Sequence, residues 1–161
     1  MANLNIKPAT TSDNLVLKDG AGNVKIQVNN NGVDLQDATL IRPKIKDYAE
    51  TVVDNGSKNV AFNLDLSGGN IHTVTITGGT LNIGITNALA SSANSVTLVI
   101  TNGGLGTISY VAGAHDGGGT AVKWAGGSAP TLSASGVDIL VFFTPDGGTT
   151  FYGFSGGTDF S

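Results

Sequence analysis

Cysteine is absent from this 161-residue chain, tryptophan occurs once, and there are two histidines. The lack of cysteine excludes disulfides, a thiolate nucleophile and any cysteine-based zinc site, and it fits a protein made in a reducing cytosol. Two histidines exclude a three-histidine metal centre within one chain. Charged residues make up only 12%, about half of the usual quarter. Long exposed helices need Glu, Lys and Arg for solubility, so they are not expected. No stretch concentrates Lys and Arg among aromatics, so nucleic-acid binding is not expected. No apolar run approaches the roughly 18 residues of a membrane span. The first residues, MANLNIKPATT, lack the basic and apolar regions of a secretion signal.

Twenty-four glycines, with many Thr, Ser and Asn, take the place of the missing charge. This composition suits short strands and tight turns. The composition also changes along the chain. Near residue 58 seven of the eight basic residues have passed, and the whole net charge of −4 lies after that point, as do twenty of the glycines. Two parts are therefore expected, 1–58 and 59–161.

The first dozen residues are polar and contain Pro8; they read as an arm ordered by whatever holds it. Leu15 and Leu17, the DGAGN turn, and Val24, Ile26 and Val28 predict a β-hairpin. In DATLIRPKIKDYAETVV, Pro43 argues against a helix, and Ile41, Pro43 and Ile45 favour an extended segment. This part is short of large apolar groups and would struggle to fold alone. It is expected to complete its core with copies of itself, a symmetric trimer being the preferred solution. The candidate trimer and attachment residues are Leu15, Leu17, Val24, Ile26, Ile41, Arg42, Pro43, Ile45 and Tyr48.

In the second part, Val60, Phe62, Leu64 and Leu66 alternate with smaller or polar residues, as a strand with one buried face does. IHTVTIT, TLNIGIT, SVTLVIT and GTISYVA follow, with glycine or asparagine at the turns. NALASSA (87–93) is the one segment that could form a helical turn. The stretch from Thr120 to Phe154 contains the only Trp and reads as three more strands, Thr120–Ala125, Val137–Thr144 and Thr149–Phe154. VDILVFFT (137–144) is apolar on both faces except at Asp138, so cover on both sides is expected. Eight short strands with Gly-rich turns predict an all-β protein: an antiparallel eight-stranded β-sandwich of jelly-roll type behind an extended arm and hairpin. Its candidate core residues are Phe62, Leu64, Trp124, Ile139, Val141 and Phe143.

No convincing reaction centre emerges. GFSGG (153–157) matches the G-x-S-x-G elbow, but the elbow needs a following helix and partner residues. His72 alternates with Val74 and Ile76, which predicts a packed ring bonded to backbone. His115 and Asp116 share a Gly-rich loop and supply two ligands, where a closed zinc site needs four. GGLGT (103–107) lacks the Lys of a phosphate-binding loop. The carboxylates of Asp65, Asp116, Asp138 and Asp146 do not announce a glycosidase pair, since PDGG and strand-start positions favour Asp for local reasons. Asn55-Gly56-Ser57 is a formal glycosylation sequon, discounted in the absence of a secretion signal. No cofactor and no enzymatic activity are expected.

Taken in order, VKWAGGSAP (122–130), a Ser/Thr-rich link and VDILVFFTPDGGTTFYGF (137–154) resemble the C-terminal β-sandwich module of tail fibres and head decoration proteins on virions of tailed bacteriophages. In that group W-x-G-G-x-x-P precedes a D-[IVL]-[IVL]-x-F strand, a D-G turn and an aromatic strand. Trp124, Gly126, Gly127, Pro130, Asp138, Phe142, Asp146, Gly147 and Tyr152 occupy those places. RPKIKDYAET (42–51) resembles the usual lead-in, so the likeness spans roughly Leu40 to Phe154. It implies a homotrimeric, non-enzymatic component of the virion surface, assembled in the host cytoplasm. About forty residues precede the module, which leaves no room for a fibre shaft and favours a head decoration, or cement, protein. Its expected partners are itself and the major capsid protein or other virion structural proteins. The alternative is a fibre or spike tip that binds a host receptor or surface glycan.

Overall fold

The structure, a computed structural model, describes residues 15–18, 20–29, 32–34, 43–46 and 48–161. It divides into two compact units, Met1–Tyr48 and Ala49–Ser161. Among the described residues there is no α-helix, and the chain is all-β. The break in packing comes before the break in composition at residue 58, because residues 52–58 form a strand of the second unit.

In the first unit, β1 (Leu15–Lys18) and β2 (Val24–Asn29) form an antiparallel hairpin, with Leu17 opposite Ile26. A third strand, β3 (Gly32–Asp34), adds to β2. Ile26 is half-buried, while Leu17, Val28 and Val33 are exposed. Pro43, Ile45 and Tyr48 are exposed as well. The proposed arm (residues 1–12), Ile41 and Arg42 lie outside the described residues, as do the side chains of Leu15 and Val24.

The second unit departs from the expected antiparallel sandwich. Its chain winds through three coils and places one strand of each coil in either of two sheets. The first coil is β4 (Val52–Lys58) and β5 (Phe62–Asp65), and the second is β6 (Ile71–Ile76) and β7 (Thr80–Thr86). The third is β8 (Asn94–Thr101), a 3-10 turn at Gly103–Leu105, and β9 (Thr107–Ala112). Both β4-β6-β8 and β5-β7-β9 are parallel throughout. The corners stack like the strands: Thr77 N–H donates to Lys58 O (2.9 Å) and Thr107 N–H to Gly79 O (2.9 Å). Gly79 has φ +89°, and a Cβ there would strike the Asn59 carbonyl of the coil below. The GG pair that resembles a hairpin turn in sequence is therefore a coil corner, a place where only glycine lets two corners approach this closely.

Only the end of the unit is built as expected from hairpins. The strand β11 (Val137–Thr144) has the predicted bounds and pairs antiparallel with β8, and β12 (Tyr152–Phe160) pairs antiparallel with β11. The predicted strand at 120–125 reduces to β10 (Lys123–Trp124), parallel to β12. The helical turn proposed at 87–93 is an irregular corner; the 3-10 turns lie at Gly103–Leu105 and Ala125–Gly127.

Side chains from the two sheets meet in one core. Strand registry stacks them: Phe62 on Ile83 on Tyr110 in one sheet, and His72 on Leu98 on Leu140 in the other. Phe62 and Leu64 are buried in this core, and Trp124 packs at its margin. The core assignments on β11 need correction. Asp138, Leu140, Phe142 and Thr144 are buried, whereas Ile139 and Val141 are half-buried on the opposite face and Phe143 is 39% exposed. That outer face is not covered as the two-sided apolar pattern suggested. Asp138 explains the choice of face: turning this face inward gives its carboxylate three hydrogen-bond donors, described below.

The two faces of β11 and β8 should differ in mutational cost. Leu98→Ala, at the centre of a buried ladder, should lower the unfolding free energy by about 2–5 kcal/mol. Phe143→Ala should change it by under about 1 kcal/mol. Urea denaturation of both variants checks this, and a larger loss for Phe143→Ala would reverse the face assignment.

Candidate functional site

The most elaborated region is the strap that follows β10, residues 125–136. It starts with a 3-10 turn in which Gly126 has φ +77°, and it has no apolar periodicity. Its path is fixed by hydrogen bonds. Gly104 N–H donates to Ser133 O (2.8 Å) and Asn102 N–H to Gly136 O (2.8 Å). The buried Asp138 carboxylate accepts from Ser133 N–H (2.8 Å), Ser133 Oγ (2.7 Å) and Asp159 N–H (2.9 Å). One carboxylate thus ties the strap and the end of β12 to β11. Hydrogen bonds to a charged acceptor are stronger than neutral ones, which suits a group that must hold three segments.

Beneath the strap lies an aromatic cluster. The ring centroids of Tyr110, Trp124 and Phe142 are 5.3–5.5 Å apart, with Trp124 edge-on to both partners. Such tilted and edge-to-face pairs are the favourable aromatic geometries. Gly153 stands opposite Trp124 in the β10–β12 pairing, and a Cβ there would lie 2.6 Å from the indole. A bare backbone at this position lets the ring approach the strand this closely.

Two clefts flank the strap and share Pro130. One, of about 220 Å³, is lined by Gly104, Ile108, Tyr110, Pro130 and Leu132, among others. The other, of about 340 Å³, is lined by Trp124, Ser128, Pro130, Gly153, Phe154 and Ser155, with Ala125 at its margin. Neither has a charged side chain in its walls. A third cleft, also about 340 Å³, lies along residues 131–135 and reaches Asp159.

The residues considered for catalysis are engaged in structure. The β12 strand runs through GFSGG, so Ser155 lies in extended chain and not on an elbow. Asp65 accepts from Ser67 Oγ (2.7 Å), Ser67 N–H (2.9 Å) and Asn87 Nδ2 (2.7 Å). The Ser67 hydroxyl, then Asn87, hold its pKa below the ordinary carboxylate value. Asp146 accepts from Thr150 N–H (2.9 Å) and Thr144 Oγ1 (2.8 Å) in its turn, and these bonds depress its pKa too. At His115 it is the backbone that is tied down: N–H to Asn63 Oδ1 (2.8 Å) and O to Asn82 Nδ2 (2.6 Å). Among the described residues no three His, Asp or Glu side chains converge. Compared with known proteins, the chain matches no family model, no curated protein and no solved structure.

Two buried polar groups set measurable properties. His72 is fully buried; Asn55 Nδ2 lies 3.2 Å from its Nδ1, and its Nε2 lies 3.1 Å from Gly69 O. The neutral ring with the proton on Nε2 satisfies both. Burial lowers its pKa below 6.5, against the pull of Gly69 O and Asp65. The unfolded chain then takes up a proton that the folded ring refuses. Stability should be full above about pH 6.5 and fall below it by up to about 1.4 kcal/mol per pH unit. Urea denaturation at pH 7 and pH 5 should show this loss, and His72→Phe should reduce the difference. An equal difference in the variant would assign it elsewhere.

Tyr110 is the other group. It is 5% exposed, and its hydroxyl is the one buried side-chain oxygen or nitrogen among the described residues that lacks a hydrogen-bond partner. Burial, then the nearby Asp138 charge, push its pKa far above the usual phenol value. An orphaned hydroxyl costs desolvation without return. Tyr110→Phe should therefore keep or raise stability, by up to about 1 kcal/mol. A loss of that size in thermal or urea unfolding would reveal a partner, such as a bound water.

Proposed function

We propose that this chain is a structural protein of a bacteriophage virion surface: a homotrimeric head decoration protein that binds the capsid through its N-terminal part and stabilises the particle without catalysis. The observation that carries this reading is the imbalance between the two units. The second has a continuous core of its own. The first leaves Leu17 46%, Val33 65% and Ile45 61% exposed. Among the described side chains every buried apolar one lies in the second unit, so the apolar groups of the first are available for contacts with other chains, which both trimer formation and particle binding need. The motif order from Arg42 to Phe154 supports the virion context. The carboxylates of Asp65, Asp138 and Asp146, each engaged in local hydrogen bonds, favour a structural over a hydrolytic role.

The second reading is a tail-fibre or spike tip that binds a host receptor or glycan. It is favoured by the uncharged clefts beside the strap. Antibody labelling of virions separates the two: head labelling supports decoration, and tail labelling supports the tip.

Deleting residues 1–36 tests the role of the first unit. The truncated protein should remain soluble and folded, sediment as a smaller species than the full chain, and no longer add to expanded heads. Unchanged binding to heads would overturn the attachment role.

A further inference from the structure

The six-stranded sheet turns one face into the core, and its other face is apolar across the whole width. Registry sets Val52, Ile71, Thr97, Val141 and Phe154 side by side on β4, β6, β8, β11 and β12. Val99 beside Ile139, and Phe143 beside Tyr152, extend this row in either direction. All of these residues are half-buried or exposed, Val52 by 58% and Phe154 by 47%. Among the described residues, registry puts two charged side chains on this face: Asp54 beside Thr73, and Lys123 beside Tyr152. They stand on β4 and β10, the two strands that end the sheet. We propose that this face turns toward a three-fold axis and packs against the same face of two further copies of the chain. The assignment rests on the homotrimer reading and deepens it by naming the surface.

Size and charge select copies of the chain as the occupant. Six strands about 4.8 Å apart make a face roughly 25 Å wide, and its longer strands run about 20–25 Å. That is on the order of 500–600 Å² in projection, and more once the relief of the side chains is counted, against about 800 Å² per partner in a standard interface. Three such faces closed around an axis parallel to the strands each lie about 7 Å from it. Packed sheets stand roughly 10 Å apart, so one layer of side chains fills about 5 Å of that distance, and the larger Phe154 ring suits the rest. In this arrangement the β4 edge of each copy meets the β10–β12 edge of the next. Asp54 is then brought toward Lys123 at all three corners, and opposite charges across an interface fix orientation and register. An axis across the strands would join strand ends instead and leave both charges without a counterpart. Closure also brings together the two unpaired edges of the sheet, which proteins otherwise blunt or cover. Phe143 and Tyr152, at one end of the face, form the rim, where truncation costs little.

Sedimentation equilibrium of the full-length protein, with circular dichroism to monitor folding, tests the face. The wild type should be a trimer at micromolar concentration. Phe154→Glu, on an exposed side chain, should shift it to monomer with an unchanged β-sheet spectrum. Should that variant misfold, Phe154→Ser is the milder change and should weaken the trimer in the same direction. Leu89→Glu, equally exposed but on the corner 87–93, should leave the trimer intact. Lys123→Glu should weaken association about tenfold, the sum of three modest corner contributions, and adding Asp54→Lys should restore much of it. A trimer unmoved by Phe154→Glu and by Lys123→Glu would overturn this face while leaving the homotrimer standing. A wild-type dimer that Phe154→Glu dissociates would overturn the three-fold arrangement. A monomeric wild type would overturn both the face and the homotrimer.

Discussion

A parallel coil satisfies its backbone only by adding another coil, and the need to stop that growth shapes the second unit. The middle strands β6 and β7 pair with the coil before and with the coil after, and the strands of the last coil, β8 and β9, have no further coil to pair with. After the third coil the chain reverses. It lays residues 120–122 against β9, with Ala112 N–H to Thr120 O (2.8 Å) and Val122 N–H to Tyr110 O (3.0 Å), and it lays β11 antiparallel on β8. The aromatic cluster fills the space where the two closures meet. Tyr110 comes from the last coil, Phe142 from the closing hairpin, and Trp124 from the segment joining them. The strap and its clefts are a product of this closure, because β10 and β11 lie in one sheet on either side of β12, and the chain between them runs past Gly104 at the end of the last coil.

The Asp138 carboxylate makes the closure definite. Its position on the buried face of β11 would be costly in isolation. With donors from Ser133 and Asp159 it fixes which face of an ambiguous strand turns inward. A strand that is apolar on both sides has no other strong preference, and a one-residue slip would exchange Phe142 for Phe143.

This accounts for what could be read from the residues and what could not. Alternation at Phe62 and Leu64, and the apolar run at 137–144, marked strands correctly, because period-2 burial is a local property. Val60 and Leu66 continue the alternation but lie outside β5, and Val60 is exposed. Strand direction is not local. A GG corner between coils and a GG hairpin turn have the same residues, so 78–79 read as a hairpin and the sheets as antiparallel. The face of β11 depended on donors in the strap and at the chain's far end, and no pattern within VDILVFFT contains them. His72 was legible as a packed ring bonded to backbone, for its face was set by Val74 and Ile76. Trp124 was legible as a packing residue, but its cleft was not. The strap that walls it, 125–136, has no periodicity from which a position could be inferred, and the Trp124 indole meets the bare Gly153 backbone only through the parallel pairing of β10 with β12.

The coil corners have a different consequence. Val52 pairs with Ile71 across the first step, and Ile71 with Thr97 across the second, longer one. Part of the additional length sits in the corner 87–93, which is longer than the corner 66–70 of the first coil. The rest extends β7 beyond the length of β5 and the start of β8 before its pairing with β6, while the ladders keep their register. Length therefore varies at the corners and at the strand ends outside the shared register. A lineage carrying this fold can lengthen, shorten or exchange its corner loops without renegotiating the core, so the outline of the body can diverge much faster than the framework that supports it.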